Sequence, residues 1–334
     1  MKRMKMSFWK RITSLLSAVL YQIYTHIPYS ILTLIYRHID YFHYKALSFY
    51  EFPFKTKSYE GQGRNNECYG NLWVVKKAVG KDFDPCCVIE HGVYFGEYVG
   101  NDYNMPNVNT IYTYGEYRKN SILKWYGESF KKKIILIGPY ILNADNFKPI
   151  QTLKKIKAKF GKILLVFPTH SLPGFPMQYD KDAFIREIED VAVDYDNVFV
   201  SLFWADVNLG RDKIYLEKGY RVVCSGTRSD RWFLSRQRDL FELADFSMSN
   251  DVGTHIGYSI AMGVPHYIYG QPVYEVNGGK EEKTRHEIRM REYSEIRSAF
   301  SFKKPVITDE QRRIVEYYWG LGSVITENCR YRNS

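Results

Sequence analysis

Short apolar runs alternate with longer amphipathic segments along most of this 334-residue chain. The runs are brief and rich in Ile, Val and Leu, which is typical of parallel strands buried on both faces. Helical patterns lie between them, so the chain predicts repeated strand–helix units and a doubly wound α/β fold. A closed α/β barrel would need a more even repeat and more residues. The predicted strands are Cys86–Ile89, Thr110–Tyr114, Lys133–Ile137, Ile163–Phe167, Val198–Phe203, Arg221–Cys224, Phe246–Met248 and His266–Tyr269, and the predicted helices are Tyr117–Phe130, Pro149–Phe160, Asp182–Asp194, Asp206–Lys218 and Arg231–Ala244.

The number and spacing of these strands fit two Rossmann-like halves. The polar stretch Asn143–Lys148 is the predicted linker, so the first half covers residues 46–148 and the second covers 149–306. Thr308 and Gln311 form a capping-box pattern at the start of a helix that Gly320 closes. This helix and the tail make up the last predicted segment, 307–334.

The N-terminus has a different character from the rest of the chain. Basic residues crowd positions 2–11 and precede an uncharged, aromatic-rich run at 12–36. A secretory signal, a membrane span, an interfacial anchor and helices packed on the protein itself all compete for this pattern. No convincing cleavage site follows, and the run holds several polar residues. We therefore expect residues 1–45 to form membrane-associating helices at headgroup depth.

The formal net charge of +10 predicts an anionic partner. The sequence carries no helix-turn-helix signature, RNP-like aromatic pattern or zinc finger, so nucleic acid is not the expected partner. An anionic membrane surface and a phosphorylated substrate remain. The five cysteines form no CxxC pair, which favours a reducing compartment and buried free thiols.

Metal and serine-hydrolase chemistry have little support in the sequence. Carboxylate-x-carboxylate triplets occur at Asp82–Asp84, Asp180–Asp182 and Asp194–Asp196, but none clearly follows a predicted strand. The sequence contains no HExxH pattern, P-loop or GxSxG elbow. We therefore expect no metal site.

The stretch from Ser249 to Pro265 is the main indication of function. Its pattern predicts a strand end, a short polar loop, a helix of small residues and a return to a strand. A helix N-terminus offers free N–H groups and the positive end of a dipole, which suit a nucleotide diphosphate. Glycine allows close approach of a ligand, although Gly257 could equally be a packing glycine. The candidate donor-binding residues here are Ser249, Asn250, Gly253, Thr254, His255 and Gly257.

Three other loops follow predicted strands, where open α/β sheets bind their ligands. His91 could act as a general base or simply hold its loop by hydrogen bonds. His170 could touch a phosphate or belong to a rigid proline turn. The guanidinium of Arg228 matches the geometry of phosphate oxygens, and Arg231 continues the positive charge. The candidate residues of these loops are His91, His170, Ser171, Gly226, Thr227, Arg228 and Arg231.

From Gly226 to Pro265 the chain resembles the donor-binding half of GT-B glycosyltransferases, and more narrowly bacterial transferases of lipopolysaccharide and capsular polysaccharide biosynthesis. The resemblance implies two Rossmann-like domains facing a cleft, with a nucleotide-sugar donor in the C-terminal domain and a glycan or lipid-linked acceptor in the N-terminal one. It implies no metal and no cofactor. Glu90 and His91 become the candidate catalytic residues. The Glu-x(7)-Glu pattern of many retaining members is missing, which leaves inverting and retaining chemistry both open.

Two other functions compete with sugar transfer. A CDP-polyol phosphotransferase would also use a basic cleft, and its product would be a phosphodiester. A non-catalytic scaffold or glycan-binding protein of a polysaccharide assembly complex need not bind a nucleotide. The expected location of a transferase is peripheral, at the cytoplasmic face of the inner membrane.

Overall fold

A computed structural model describes residues 36–48, 66–96, 99–171, 176–277, 280–283 and 290–323. Contacts divide the chain after Ile39, and the residues from Asp40 onward form one compact unit. Most of the predicted membrane-associating segment, residues 1–35, lies outside the described residues. Within the described ranges, no helix has both the length and the apolar character that crossing a bilayer requires.

The N-terminal half contains a parallel three-stranded sheet whose strands lie side by side in chain order: β1 (Cys87–Ile89), β2 (Thr110–Thr113) and β3 (Lys133–Leu136). Its strands are short, and β1 and β2 are buried throughout, which is typical of parallel strands. A helix crosses from β2 to β3 and ends at Gly127, which has a φ of 66°. The helices are the short α1 (Tyr44–Leu47), α2 (Asn71–Val79) and α3 (Glu116–Tyr126).

The C-terminal half contains a parallel five-stranded sheet. Its strands lie in the order β7 (Arg221–Val223), β6 (Asn197–Ser201), β4 (Ile163–Phe167), β8 (Phe246–Ser249) and β9 (His266–Ile268). The chain starts at β4, moves outward to β7 on one side, and returns to build β8 and β9 on the other. The strand order therefore reverses between β4 and β8, which is where open sheets form a ligand crevice.

The helices of this half confirm most of the predicted segments. The predicted helix at 206–218 is the exception, because it divides around Gly210, whose φ is 71°. The helices are α4 (Ile150–Phe160), α5 (Lys181–Ala192), α6 (Trp204–Asn208), α7 (Lys213–Glu217), α8 (Phe233–Leu243) and α9 (Thr254–Ala261).

A small antiparallel sheet was not predicted. It joins β5 (Met177–Gln178), β10 (Tyr274–Asn277) and β11 (Lys280–Lys283). The highly charged stretch at 277–297 contains the end of β10, β11 and most of the helix α10 (Met290–Ala299).

The last helix, α11 (Asp309–Trp319), confirms the predicted capping box. The Thr308 side chain accepts a bond from the Gln311 N–H, the Gln311 side chain accepts one from the Thr308 N–H, and Gly320 ends the helix in a left-handed conformation. The ring of Tyr318 lies 4.7 Å from that of Tyr117 in the N-terminal half. The last helix therefore packs against α3 of the N-terminal half.

Residues 40–45 belong to the fold rather than to a separate N-terminal segment. Tyr41 is completely buried, and its carbonyl accepts a hydrogen bond from the Cys224 N–H. The Tyr44 hydroxyl donates to Asp212. The predicted segment boundary at residue 45 thus falls inside the compact unit that starts at Asp40.

Candidate functional site

The loops after β4 and β8 are joined at the point where the strand order reverses. Asn250 directly follows β8, and its Oδ1 accepts bonds from the backbone N–H and the hydroxyl of Thr169, at 2.7 and 2.9 Å. Asn250 is completely buried, and its Nδ2 has no hydrogen-bond partner among the described residues. Buried amide donors are normally hydrogen-bonded, so a further acceptor, such as a ligand or water, is expected beside Asn250 Nδ2.

His255, in the first turn of α9, has a similar unmet requirement. Its ring stacks on Phe167 at 4.9 Å, and its buried Nε2 finds no partner in the described part of the chain. Burial lowers the pKa of His255 to about 3, and the charge of His170 acts in the same direction. The imidazole is therefore neutral at pH 7. By contrast, both ring nitrogens of nearby His266 are bonded to serine hydroxyls.

Ser249 and Ser171 serve to shape their loops. Ser249 Oγ donates to the Asp251 carbonyl at 2.9 Å and lies 3.0 Å from His266 Nε2. The Ser171 N–H donates to Asp206, and its hydroxyl accepts from the Met177 N–H. Both serines are fully buried, so their predicted contacts with a ligand are replaced by structural hydrogen bonds.

His170 differs from its neighbour Ser171 because its side chain is exposed. Its ring lies edge-on to Phe203 at 5.0 Å. The surrounding protein desolvates the imidazolium and lowers the pKa of His170, while the charges of Asp206 and Asp251 oppose that shift.

The loop after β7 is built around a buried ion pair. Arg236 Nη1 lies 2.7 Å from Asp230 Oδ2 and also donates to the Ser225 carbonyl. Gly226 has a φ of 118°, and a Cβ there would lie 2.5 Å from Asp230 Oδ2, so the turn needs glycine. Thr227 is completely buried, and no described residue pairs with its Oγ1.

The two arginines of this loop occupy different surroundings. The side chain of Arg228 is exposed, and its charge contributes to lowering the pKa of His91 in the other half. Arg231 instead lies over the rings of Trp73 and Trp232, at 5.0 and 5.4 Å. Arg228 is therefore near the junction of the halves, whereas Arg231 makes cation–π contacts beside it.

Glu90 closes β1 as part of a buried polar cluster. Its carboxylate pairs with Arg118 at 2.6 Å, with both side chains 0% exposed, and also accepts from Tyr103 and Thr113. An acceptor molecule cannot reach a carboxylate enclosed in this way. The geometry therefore favours a structural role for Glu90 over the predicted catalytic one.

His91 follows Glu90 and faces the other half. It is partly exposed, and its Nδ1 lies 2.8 Å from the Tyr94 hydroxyl. Burial lowers the pKa of His91 to about 4; the charge of Glu90 raises it and that of Arg228 lowers it. The ring is therefore neutral at pH 7 and can accept a proton.

The loop that carries His91 meets the N-terminus of α9. The Val93 N–H donates to Thr254 Oγ1 at 3.2 Å, and a Cβ on Gly92 would lie 3.1 Å from the same oxygen. Gly253 is the extended residue that precedes the helix. We call this meeting point of the two halves the junction; it comprises the loop at 91–93, the start of α9, Arg228 and Tyr69.

Gly257 does not face the junction. A Cβ at this position would lie 2.2 Å from the ring of Trp319 on α11. Gly257 thus permits two helices to pack closely, and this replaces its predicted contact with a donor diphosphate.

Tyr69 is a junction residue that the sequence did not single out. Its backbone N–H donates to the Arg228 carbonyl at 2.6 Å, and its ring lies 6.1 Å from that of His91. The only available sequence signal was the pair Tyr69-Gly70 before a helix, which is too common to be informative.

Comparisons with known proteins leave the family open. No family model and no curated protein matches the chain. Similar solved structures include the wall teichoic acid polymerase TagF, at 15% identity and a TM-score of 0.36 over 55% of this chain and 48% of that one. A variant of the same polymerase gives 10% identity and a TM-score of 0.40, covering 70% of this chain and 64% of that one. The matched regions therefore span 48% and 64% of those polymerase chains.

A UDP-GlcNAc 2-epimerase from Neisseria meningitidis, bound to UDP-GlcNAc, is similar over a longer stretch. It shows 14% identity and a TM-score of 0.36, covering 84% of this chain and 82% of that one. TM-scores this low assign neither an activity nor a ligand to this chain.

Proposed function

We propose that the chain is a GT-B-type glycosyltransferase that moves a sugar from a nucleotide-sugar donor to a lipid-linked or surface-glycan acceptor. One observation carries the proposal. Three buried polar atoms that lack partners among the described residues, Thr227 Oγ1, Asn250 Nδ2 and His255 Nε2, all follow strands of the C-terminal sheet at its carboxyl edge. Such atoms are costly unless a ligand or water satisfies them.

The donor diphosphate fits at the start of α9 beside Arg228. The first N–H groups of a helix and its dipole favour negative charge, and an exposed guanidinium adds forked hydrogen bonds. As the bond between the sugar and the diphosphate breaks, negative charge grows on the leaving oxygen. Donors that are already in place lower the energy of that charge without reorganising.

His91 is the proposed general base that acts on the acceptor. A base must take the proton from the acceptor hydroxyl as it attacks the sugar, and a neutral imidazole can do this. The Tyr94 hydroxyl lies 2.8 Å from Nδ1 and 3.2 Å from Nε2 and so fixes the orientation of the ring. A pKa near 4 makes His91 a weak base, so it is effective only once attack makes the hydroxyl more acidic.

The same proposal includes the setting of the reaction. A net charge of +10 and the basic, aromatic-rich N-terminus support peripheral attachment to an anionic membrane at the cytoplasmic face of the inner membrane. Assembly of lipopolysaccharide or capsular polysaccharide is the proposed pathway class. The transferase is proposed to need no metal and no cofactor.

A thermal-shift screen tests the proposal. UDP, GDP, CDP and CMP are each added at millimolar concentration, with and without EDTA. We expect one nucleotide to raise the melting temperature by preferential binding to the folded state, and EDTA to leave the shift unchanged. Arg228→Ala, as the matched variant, should reduce the shift. If none of the four nucleotides stabilises the chain, the proposal is wrong; a phosphodiester product would instead indicate a polyol phosphotransferase.

A further inference from the structure

Tyr69 has a backbone conformation that its residue type disfavours. Its φ and ψ are 59° and 15°, and it is the one residue other than glycine with a positive φ in the described ranges. Glycine or asparagine would take this conformation at lower cost, because the Cβ of other residues meets the carbonyl oxygen. Strain of this kind persists where the surrounding structure enforces it, and it is frequent at functional sites.

Contacts with the C-terminal half enforce the strain. The Tyr69 N–H donates to the Arg228 carbonyl at 2.6 Å. The next residue, Gly70, also has a positive φ, and a Cβ there would lie 2.2 Å from the Arg231 carbonyl oxygen. The segment is therefore pressed against the loop that follows β7, and the direction of the Tyr69 side chain is set by both halves.

The ring of Tyr69 is held between the proposed base and the C-terminal half. It packs against Phe233 at 4.8 Å, and it lies 6.1 Å from His91 and 6.4 Å from Phe203. The residue remains partly exposed. A rigid, partly accessible aromatic ring beside a general base is in position to hold the molecule from which that base takes its proton.

We propose that the Tyr69 ring is the stacking surface that positions the acceptor sugar next to His91. This inference depends on the proposed glycosyl transfer. A pyranose presents an apolar face of C–H groups, which packs on the electron-rich face of an aromatic ring. Stacking on Tyr69 brings a hydroxyl at the edge of the sugar toward the imidazole, within the reach that general-base catalysis requires. Tyr69 is thus a positioning residue that contacts the acceptor and does not take the proton.

Two variants distinguish the contribution of the Tyr69 ring from that of its backbone conformation. Tyr69→Gly removes the ring and suits the left-handed conformation, so the fold is retained. Tyr69→Phe keeps the ring and removes only the hydroxyl. Each is compared with the wild-type full chain in three assays: the nucleotide-induced thermal shift, donor hydrolysis with water as acceptor, and transfer to octyl glycosides of glucose, galactose and N-acetylglucosamine.

For Tyr69→Gly we expect an unchanged nucleotide shift and donor hydrolysis within about twofold of wild type, with transfer to the octyl glycosides reduced at least tenfold, mainly through a higher KM. Tyr69→Phe should behave as the wild type. Undiminished transfer by Tyr69→Gly would overturn the inference while leaving the transferase intact. Equal losses of nucleotide binding and transfer would also overturn it, by assigning the ring to the donor site. If the wild-type chain hydrolyses the donor but uses none of the glycosides, the proposal that the Tyr69 ring positions a hexose acceptor is wrong. If the wild-type chain binds no nucleotide, the proposed function itself is wrong.

Discussion

The Cα of Gly257 faces the indole ring of Trp319 so closely that a Cβ there would lie 2.2 Å from it. Trp319 is completely buried, and its indole N–H donates to the Thr254 carbonyl at 3.2 Å. The helix α9, whose N-terminus forms the proposed diphosphate site, therefore packs closely against α11. Packing of the last helix and shape of the site are coupled through this contact.

Replacing Gly257 with alanine is expected to destabilise the protein by about 1–3 kcal/mol, because the added methyl group overpacks a rigid contact. Gly270→Ala is the matched control, since a Cβ there meets no atom within 4 Å. Denaturant unfolding gives both free energies. If Gly257→Ala is as stable as Gly270→Ala but loses nucleotide affinity, then Gly257 contacts the donor after all.

Arg228→Ala is expected to weaken nucleotide binding by about 1–3 kcal/mol, the range for losing charge-assisted hydrogen bonds. Isothermal titration calorimetry measures the change. Arg231→Ala serves as the comparison, because the Arg231 guanidinium lies over Trp73 and Trp232. Equal losses for both arginines would show a general charge effect in place of a specific phosphate contact.

Glu90 and His91 are adjacent but should respond differently to substitution. Glu90→Gln leaves the buried Arg118 charge without its partner, so we expect a loss of about 3–5 kcal/mol of stability. His91→Gln should leave the melting temperature and nucleotide shift nearly unchanged and lower sugar transfer about 10²–10⁴-fold. Measured turnover near wild type in His91→Gln would remove His91 as the base.

The lowered pKa of His255 makes stability depend on pH. In the unfolded chain its pKa is about 6.5, whereas in the folded protein it is lowered to about 3. Between these values the unfolded state binds the extra proton, so stability falls as pH decreases from neutral toward 3. His255→Gln should reduce that slope by up to about 1.4 kcal/mol per pH unit. Denaturant unfolding from pH 7 to 5 tests this, and an unchanged slope would contradict the assignment.

Two deletions should separate membrane association from folding. Removing residues 1–39 leaves the compact unit that begins at Asp40, so we expect a folded protein that binds anionic vesicles less than the full chain. Removing residues 1–45 also deletes Tyr41 and Tyr44, which pack in the fold, and should lower the melting temperature markedly. Vesicle sedimentation and thermal unfolding provide the readouts. Full vesicle binding by the shorter deletion would exclude the N-terminal anchor.

The eight main strands could be predicted because their signals are local. A buried parallel strand such as Ile163–Phe167 is a continuous apolar run, and its identity does not depend on its neighbours. The carboxyl-edge location of Asn250 and Thr227 follows from the same pattern. Strands such as Met177–Gln178 escaped prediction because their pairing partner lies far along the chain.

The sequence by itself determined the α/β class, the caps of the last helix and the loops that meet at the edge of the second sheet, since each depends on residues close together in the chain. Only the tertiary structure decided what individual side chains in those loops do. Glu90 became a buried partner of Arg118, Gly257 a contact for Trp319, and Tyr69 a strained residue at the junction. Burial and close approach depend on residues distant in the chain, and no local pattern records them.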